Sequence, residues 1–132
     1  MAKLANEFMQ FWVADGILFS KFTHKTNFDL DIIKELIEMR HSISNNLNQY
    51  WCYDVREASG FPKECREYAD KYGQDFLSAC ALIINSHIQK FLFNAYQKLN
   101  KSKIPFKAFT NEEKAVEWLN ELKAQNKLRK ST

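Results

Sequence analysis

Residues 7–23, Glu7-Phe8-Met9-Gln10-Phe11-Trp12-Val13-Ala14-Asp15-Gly16-Ile17-Leu18-Phe19-Ser20-Lys21-Phe22-Thr23, decide the fold class. Two β-prone runs flank Asp15-Gly16, a dipeptide that suits a type I′ turn because both central residues there need φ > 0. The pattern predicts one strand over Glu7–Val13 and a second over Ile17–Thr23. In the second, Ile17, Phe19 and Lys21 point one way and Leu18, Ser20 and Phe22 the other. Apolar residues on both sides of this strand imply that both sheet faces are at least partly covered.

Beyond the hairpin, helical and strand-like patterns alternate. Asp29 is placed to cap a helix over 29–45, with Phe28 as a staple onto Ile33 and a stripe of Ile32, Ile33, Leu36, Met39 and Ile43. Asn45-Asn46 ends it. Tyr50–Val55 reads as a third strand, leaving through Arg56-Glu57-Ala58-Ser59-Gly60. Pro62 suits the first turn of a second helix, and Gly73 suits the residue just past its end. Leu77–Ile84 is an almost unbroken apolar run, as expected of a strand buried on both faces. Ser86 and Gln89 form a capping-box pattern before a third helix whose stripe is Ile88, Phe91, Leu92, Ala95, Tyr96 and Leu99. Ile104–Phe109 is the last strand, and Pro105 places it at or near a sheet edge. Thr110 and Glu113 form a second capping box, opening a fourth helix with Ala115, Trp118, Leu119 and Leu122 inward. The order β-β-α-β-α-β-α-β-α predicts an α/β fold: a five-stranded mixed sheet with four helices and right-handed crossovers.

The chain of 132 residues is one domain, with an ordered core over about 7–123 and a basic tail over 124–132. Its net charge of +3 is modest, and part of the excess lies in Lys123, Lys127, Arg129 and Lys130. Without a basic face interleaved with aromatics, a nucleic-acid partner is not expected. Three cysteines, Cys52, Cys65 and Cys80, are odd in number and include no Cys-x-x-Cys pair, which disfavours a disulfide framework or a zinc site. No signal peptide opens the sequence and no apolar run is long enough for a membrane span, so a reducing cytoplasm is the expected location. Only three glycines are present, too few for a phosphate-cradling loop, and no cofactor is expected.

In an open parallel sheet, polar residues converge beyond the carboxyl ends of the strands. Here that rim comprises Asp54, Arg56 and Ser59, then Asn85, Ser86 and His87, then Thr110 and Asn111. Asp54 and Arg56 fit either an acid with its orienting partner or a surface salt bridge. Ser86 and Thr110 are explained by helix capping. Ser86 and His87 are adjacent, so their side chains diverge and do not make a nucleophile–base pair. His24 and His41 have no partner at metal-ligand spacing. The binding candidates are therefore Asp54, Arg56, Ser59, Asn85, His87 and Thr110, with no catalytic or metal constellation among them.

Several local patterns resemble a family of small uncharacterised bacterial proteins with the SpoIIAA-like fold. These are Asp15-Gly16-Ile17, Tyr53-Asp54-Val55-Arg56, Lys63-Glu64-Cys65-Arg66-Glu67-Tyr68, and Ile104-Pro105-Phe106-Lys107-Ala108-Phe109-Thr110 with Glu113, Ala115 and Trp118-Leu119. The likeness spans about residues 8–122. This is the fold of anti-sigma factor antagonist (STAS) domains, related in shape to CRAL-TRIO lipid-binding domains. The resemblance implies a non-enzymatic interaction module in signalling, with a protein partner or a homodimer. The alternative is a carrier of a small apolar or lipid ligand; an enzyme built on Asp54, Arg56 and His87 is a third reading. In STAS antagonists a serine or threonine at the start of the helix after the third strand is the phosphorylated switch. Here Pro62 stands at that place, and Ser59 precedes it in the loop, so any signalling is expected to proceed by binding alone. Phe8, Trp12 and Phe93 are candidates for an exposed aromatic interface.

Overall fold

The computed structural model describes residues 3–60, 62–87, 90–91, 94 and 103–131. Its order is β1 (Lys3–Ala5), β2 (Met9–Ala14), β3 (Ile17–Phe22), β4 (Thr26–Asn27), α1 (Leu30–Ser44), β5 (Gln49–Asp54), β6 (Ala58–Ser59), α2 (Lys63–Tyr72), β7 (Leu77–Ile83), β8 (Phe106–Phe109) and α3 (Glu112–Ser131). Six strands form a mixed sheet in the order β1-β2-β3-β5-β7-β8, and β4 and β6 pair separately. β1–β3 are antiparallel, whereas β3, β5, β7 and β8 run parallel.

The hairpin forms as expected: Asp15 and Gly16 both adopt positive φ, 52° and 77°, the requirement of a tight primed turn. Asp29 caps α1 by accepting from the Ile32 amide at 2.9 Å, and Asn45 and Asn46 end it in the left-handed region. The strands of the hairpin are Met9–Ala14 and Ile17–Phe22, slightly shifted from the expected bounds.

Two clusters fill the two sides of the sheet. Phe11, Leu18, Trp51 and Cys80 meet Ile33, Leu36 and Ile37 of α1 and Cys65 of α2. On the opposite face, Ile17, Cys52, Ala81, Ile83 and Phe109 meet Ala115 and Leu119 of α3. This explains the two-sided apolar pattern of β3, where neighbours Ile17 and Leu18 are both buried in different clusters. Each such aliphatic side chain contributes roughly 1.5–3 kcal/mol by leaving water.

Several expectations need correction. The sheet has six strands rather than five, because Lys3–Ala5 adds an antiparallel edge to β2. Three residues are too few to show a period. Phe8 is not an exposed interface residue: it is 6% exposed and stacks against Phe22. The last helix is capped by Asn111, whose Oδ1 accepts from the Lys114 amide at 3.1 Å, rather than by Thr110. Gly73 ends α2 with an ordinary φ of −79°. What requires glycine there is space, since a Cβ would lie 2.5 Å from the Ala69 carbonyl oxygen. α3 continues to Ser131 through the stretch read as a basic tail. Pro105 does precede an edge strand, which starts at Phe106. The third helix expected at 86–99, and with it Phe93, lies largely outside the described residues; His87, Lys90, Phe91 and Asn94 carry helical backbone.

Candidate functional site

The parallel strands deliver part of the predicted rim as one unit. Asp54 closes β5, and the chain turns so that Arg56 forks onto its carboxylate, Nε to Oδ1 at 3.0 Å and Nη2 to Oδ2 at 2.7 Å. The Arg56 amide also donates to Asp54 Oδ1 at 3.0 Å. From the end of β7, Asn85 Nδ2 donates to the Arg56 carbonyl at 3.0 Å. The hydrogen bond to Asp54 is the main reason the Arg56 guanidinium titrates above its ordinary range. The Arg56 side chain is 45% exposed, so this bidentate pair adds little stability. It shapes the turn and leaves one edge of the guanidinium facing solvent.

The other candidates do not join it. Ser59 lies in β6 and donates to Asn27 Oδ1 across the small sheet. His87 is exposed at the start of a helical segment, and Thr110 is half-buried after β8. Among the described residues, no hydrogen bond or ion pair ties Ser59, His87 or Thr110 to Asp54 and Arg56. Pro62 occupies the N-cap position of α2 in extended conformation, φ −55° and ψ 156°. Its carbonyl accepts from the Cys65 and Arg66 amides.

The cysteines are free and buried. Burial pushes the Cys52 thiol up to about 12 and raises Cys65 and Cys80 as well, so all three are held as neutral thiols rather than nucleophiles. Among the described residues, no three His, Cys, Asp or Glu side chains group as a metal site. No helix among them is long and apolar enough to cross a membrane.

Two features lie outside the predicted rim. The first is Arg40, fully buried on α1. Its Nη2 donates to the Gly73 carbonyl at 2.8 Å and the Asp75 carbonyl at 2.7 Å, and its guanidinium carbon sits 5.1 Å from the Trp51 ring centre. Burial lowers its pKa to about 10. Among the described residues, Arg40 Nε and Nη1 and the nearby Tyr53 hydroxyl have no hydrogen-bond partner. Helical spacing could have found it: Ile33, Leu36, Ile37 and Arg40 fall on one stripe.

The second is the α3 side of the sheet. α3 packs on β5, β7 and β8 and reaches the hairpin at its tip, where Lys123 Nζ donates to the Asp15 carbonyl at 3.2 Å. Farther along β2 and β3, Trp12 and Phe19 form a cross-strand stack, with centroids 5.6 Å apart and planes 9° from parallel. Lys21 Nζ lies 5.8 Å from the Trp12 ring centre. Lys3, Ala5, Gln10, Trp12 and Lys21 line a shallow concavity there.

The family model described as a domain of unknown function, DUF7793, matches residues 11–123. Among solved structures, the chain is similar to an uncharacterized protein of the DUF3478 family with a SpoIIAA-like fold from Shewanella loihica PV-4. The two share 14% identity with a TM-score of 0.63, over 88% of this chain and 98% of that one. At that identity the likeness establishes the fold. No curated protein matches.

Proposed function

The chain belongs to the DUF7793 family and has a SpoIIAA-like fold, and on that premise we propose that it is a non-enzymatic protein-interaction module in signalling or regulation. The observation that carries this reading is the Trp12–Phe19 stack, half-buried on a sheet face beside the exposed Lys3, Gln10 and Lys21. Aromatic groups with one end wet and one end dry are typical anchors of protein interfaces. The part of the predicted rim that comes together supports the same reading, because Asp54 and Asn85 are engaged in holding the Arg56 turn: Asp54 accepts from the Arg56 amide and guanidinium, and Asn85 donates to the Arg56 carbonyl. A carrier of apolar ligands is less favoured, since the core aromatics pack on one another. Trp51 stacks on Tyr53 at 4.2 Å, and Phe22 meets Phe28 edge-on at 5.5 Å. The three unpaired cysteines fit a reducing cytoplasm as the place of action.

Lysine cross-linking of the tagged chain in its host, read by mass spectrometry, tests the proposal. The expected result is a reproducible set of links from Lys3 and Lys21 to one protein, whether another chain or a second copy. Links scattered evenly over all the surface lysines would count against a dedicated interaction face.

A further inference from the structure

The sheet face that carries Trp12 is covered by α3 over only part of its width. β5, β7 and β8 lie under the helix, whereas Lys3, Ala5, Gln10 and Lys21 beyond them are exposed. A step one helix high therefore borders a bare strip on the same side of the molecule. The strip is cationic, with Lys3 and Lys21 around the aromatic pair. The first half of the helix that forms the step is predominantly anionic on its outer surface, whereas Lys127 and Arg129 are exposed farther along it. Glu113, Glu117 and Glu121 are exposed and recur every four residues, a spacing at which like charges face each other and repel. Among the described residues none of the three forms an ion pair, nor does Lys114, which lies beside Glu113 in sequence.

We propose that the bare strip is occupied by a second copy of this chain, packed about a two-fold axis so that α3 of each copy lies over β1–β3 of the other. In that arrangement Glu113, Glu117 and Glu121 of one copy meet Lys3 and Lys21 of its partner, and the symmetry repeats the contact. One helix fills each step, and the Trp12–Phe19 stack lies beneath it. The contact is isologous, so it closes as a dimer and does not propagate. This rests on the interaction-module reading above and names both its partner and its surface.

Size-exclusion chromatography with light scattering, followed over a range of concentrations, tests it with two charge-reversed variants, K3E/K21E and E113K/E117K/E121K. The wild-type chain is expected to be a dimer. Either variant alone should raise the dimer dissociation constant about a hundredfold, because each then sets like charges against each other. Mixing the two variants should restore a heterodimer to within about tenfold of the wild-type constant, which a merely misfolded variant would not do. Circular dichroism of each variant confirms the fold. A dimer unaffected by either reversal would overturn the assigned face while leaving self-association standing. A strictly monomeric wild-type chain at high concentration would overturn the dimer itself, and the cross-links to another protein would then carry the broader reading alone.

Discussion

Arg40 occupies a place where periodicity calls for an apolar side chain, and its position shows what the charge is for. The guanidinium sits in the core and forms no ion pair among the described residues; the Asp75 charge acts on it only at longer range, and the Gly73 and Asp75 carbonyls accept from it. Those carbonyls belong to the connection from α2 to β7, where Phe76 holds a φ of 60°. A bulky residue in the left-handed region costs about 1–2 kcal/mol, so the connection needs an external tether. Arg40 supplies one from the neighbouring helix. Two effects then compete on substitution. Removing the arginine orphans two carbonyls, at about 1–3 kcal/mol each when buried; it also relieves a buried charge and two donors without partners. Arg40→Ala leaves a cavity as well, and a loss of about 3–5 kcal/mol is expected in urea denaturation. Arg40→Met keeps most of the volume and should cost about 1–2 kcal/mol less than alanine. Equal losses for the two would mean that packing volume has no part in the role of Arg40.

The elements divide by how local their signals are. The Asp15-Gly16 turn, the Asp29 cap and the Asn45-Asn46 stop are written in two or three adjacent residues, and all three appear where the sequence places them. β1, β4 and β6 are only two or three residues long; they exist because a neighbouring strand offers free backbone groups, which no local pattern records. The rim follows the same division. Asp54 and Arg56 were legible as a pair because they are two residues apart, but the third member, Asn85, joins through a contact 29 residues distant. The sequence order groups Ser59 with the rim, yet strand pairing draws it to Asn27 instead. The start of α3 is a case of local ambiguity, since Thr110 and Asn111 are adjacent and both are good caps. The geometry favours Asn111, which accepts from the Lys114 amide three residues on. Asn111→Ala should therefore lower stability by about 1 kcal/mol, and Thr110→Ala by clearly less. Thermal unfolding of the two single variants checks this, and the reverse ranking would return the cap to Thr110.

At the scale of the whole molecule, burial of titratable groups on both sides of neutrality sets a window of stability. His41 lies against Phe76, ring centres 5.3 Å apart, and its pKa falls below the ordinary 6.5, first through burial and then through Arg40. The unfolded chain therefore binds a proton at His41 more readily than the native state does. Stability must fall as pH drops below about 6.5, since there the unfolded state holds more protons. The thiols act in the opposite direction. Cys52 is raised from about 9 to about 12, and Cys65 and Cys80 are raised too, all chiefly by burial. Above about pH 9 the unfolded chain loses these protons while the native state keeps them, so stability falls again as pH rises. The urea midpoint should thus be flat from roughly pH 6.5 to 9 and decline on either side, with the alkaline decline read between about pH 9 and 10, before the lowered pKa of Arg40 acts in the opposite sense. His41→Gln should flatten the decline just below 6.5 without altering the alkaline one. Cys52→Ala should do the converse, reducing the alkaline slope and leaving the acid limb unchanged. An alkaline slope identical with and without Cys52 would mean that its thiol is no harder to ionise in the native core than in the unfolded chain.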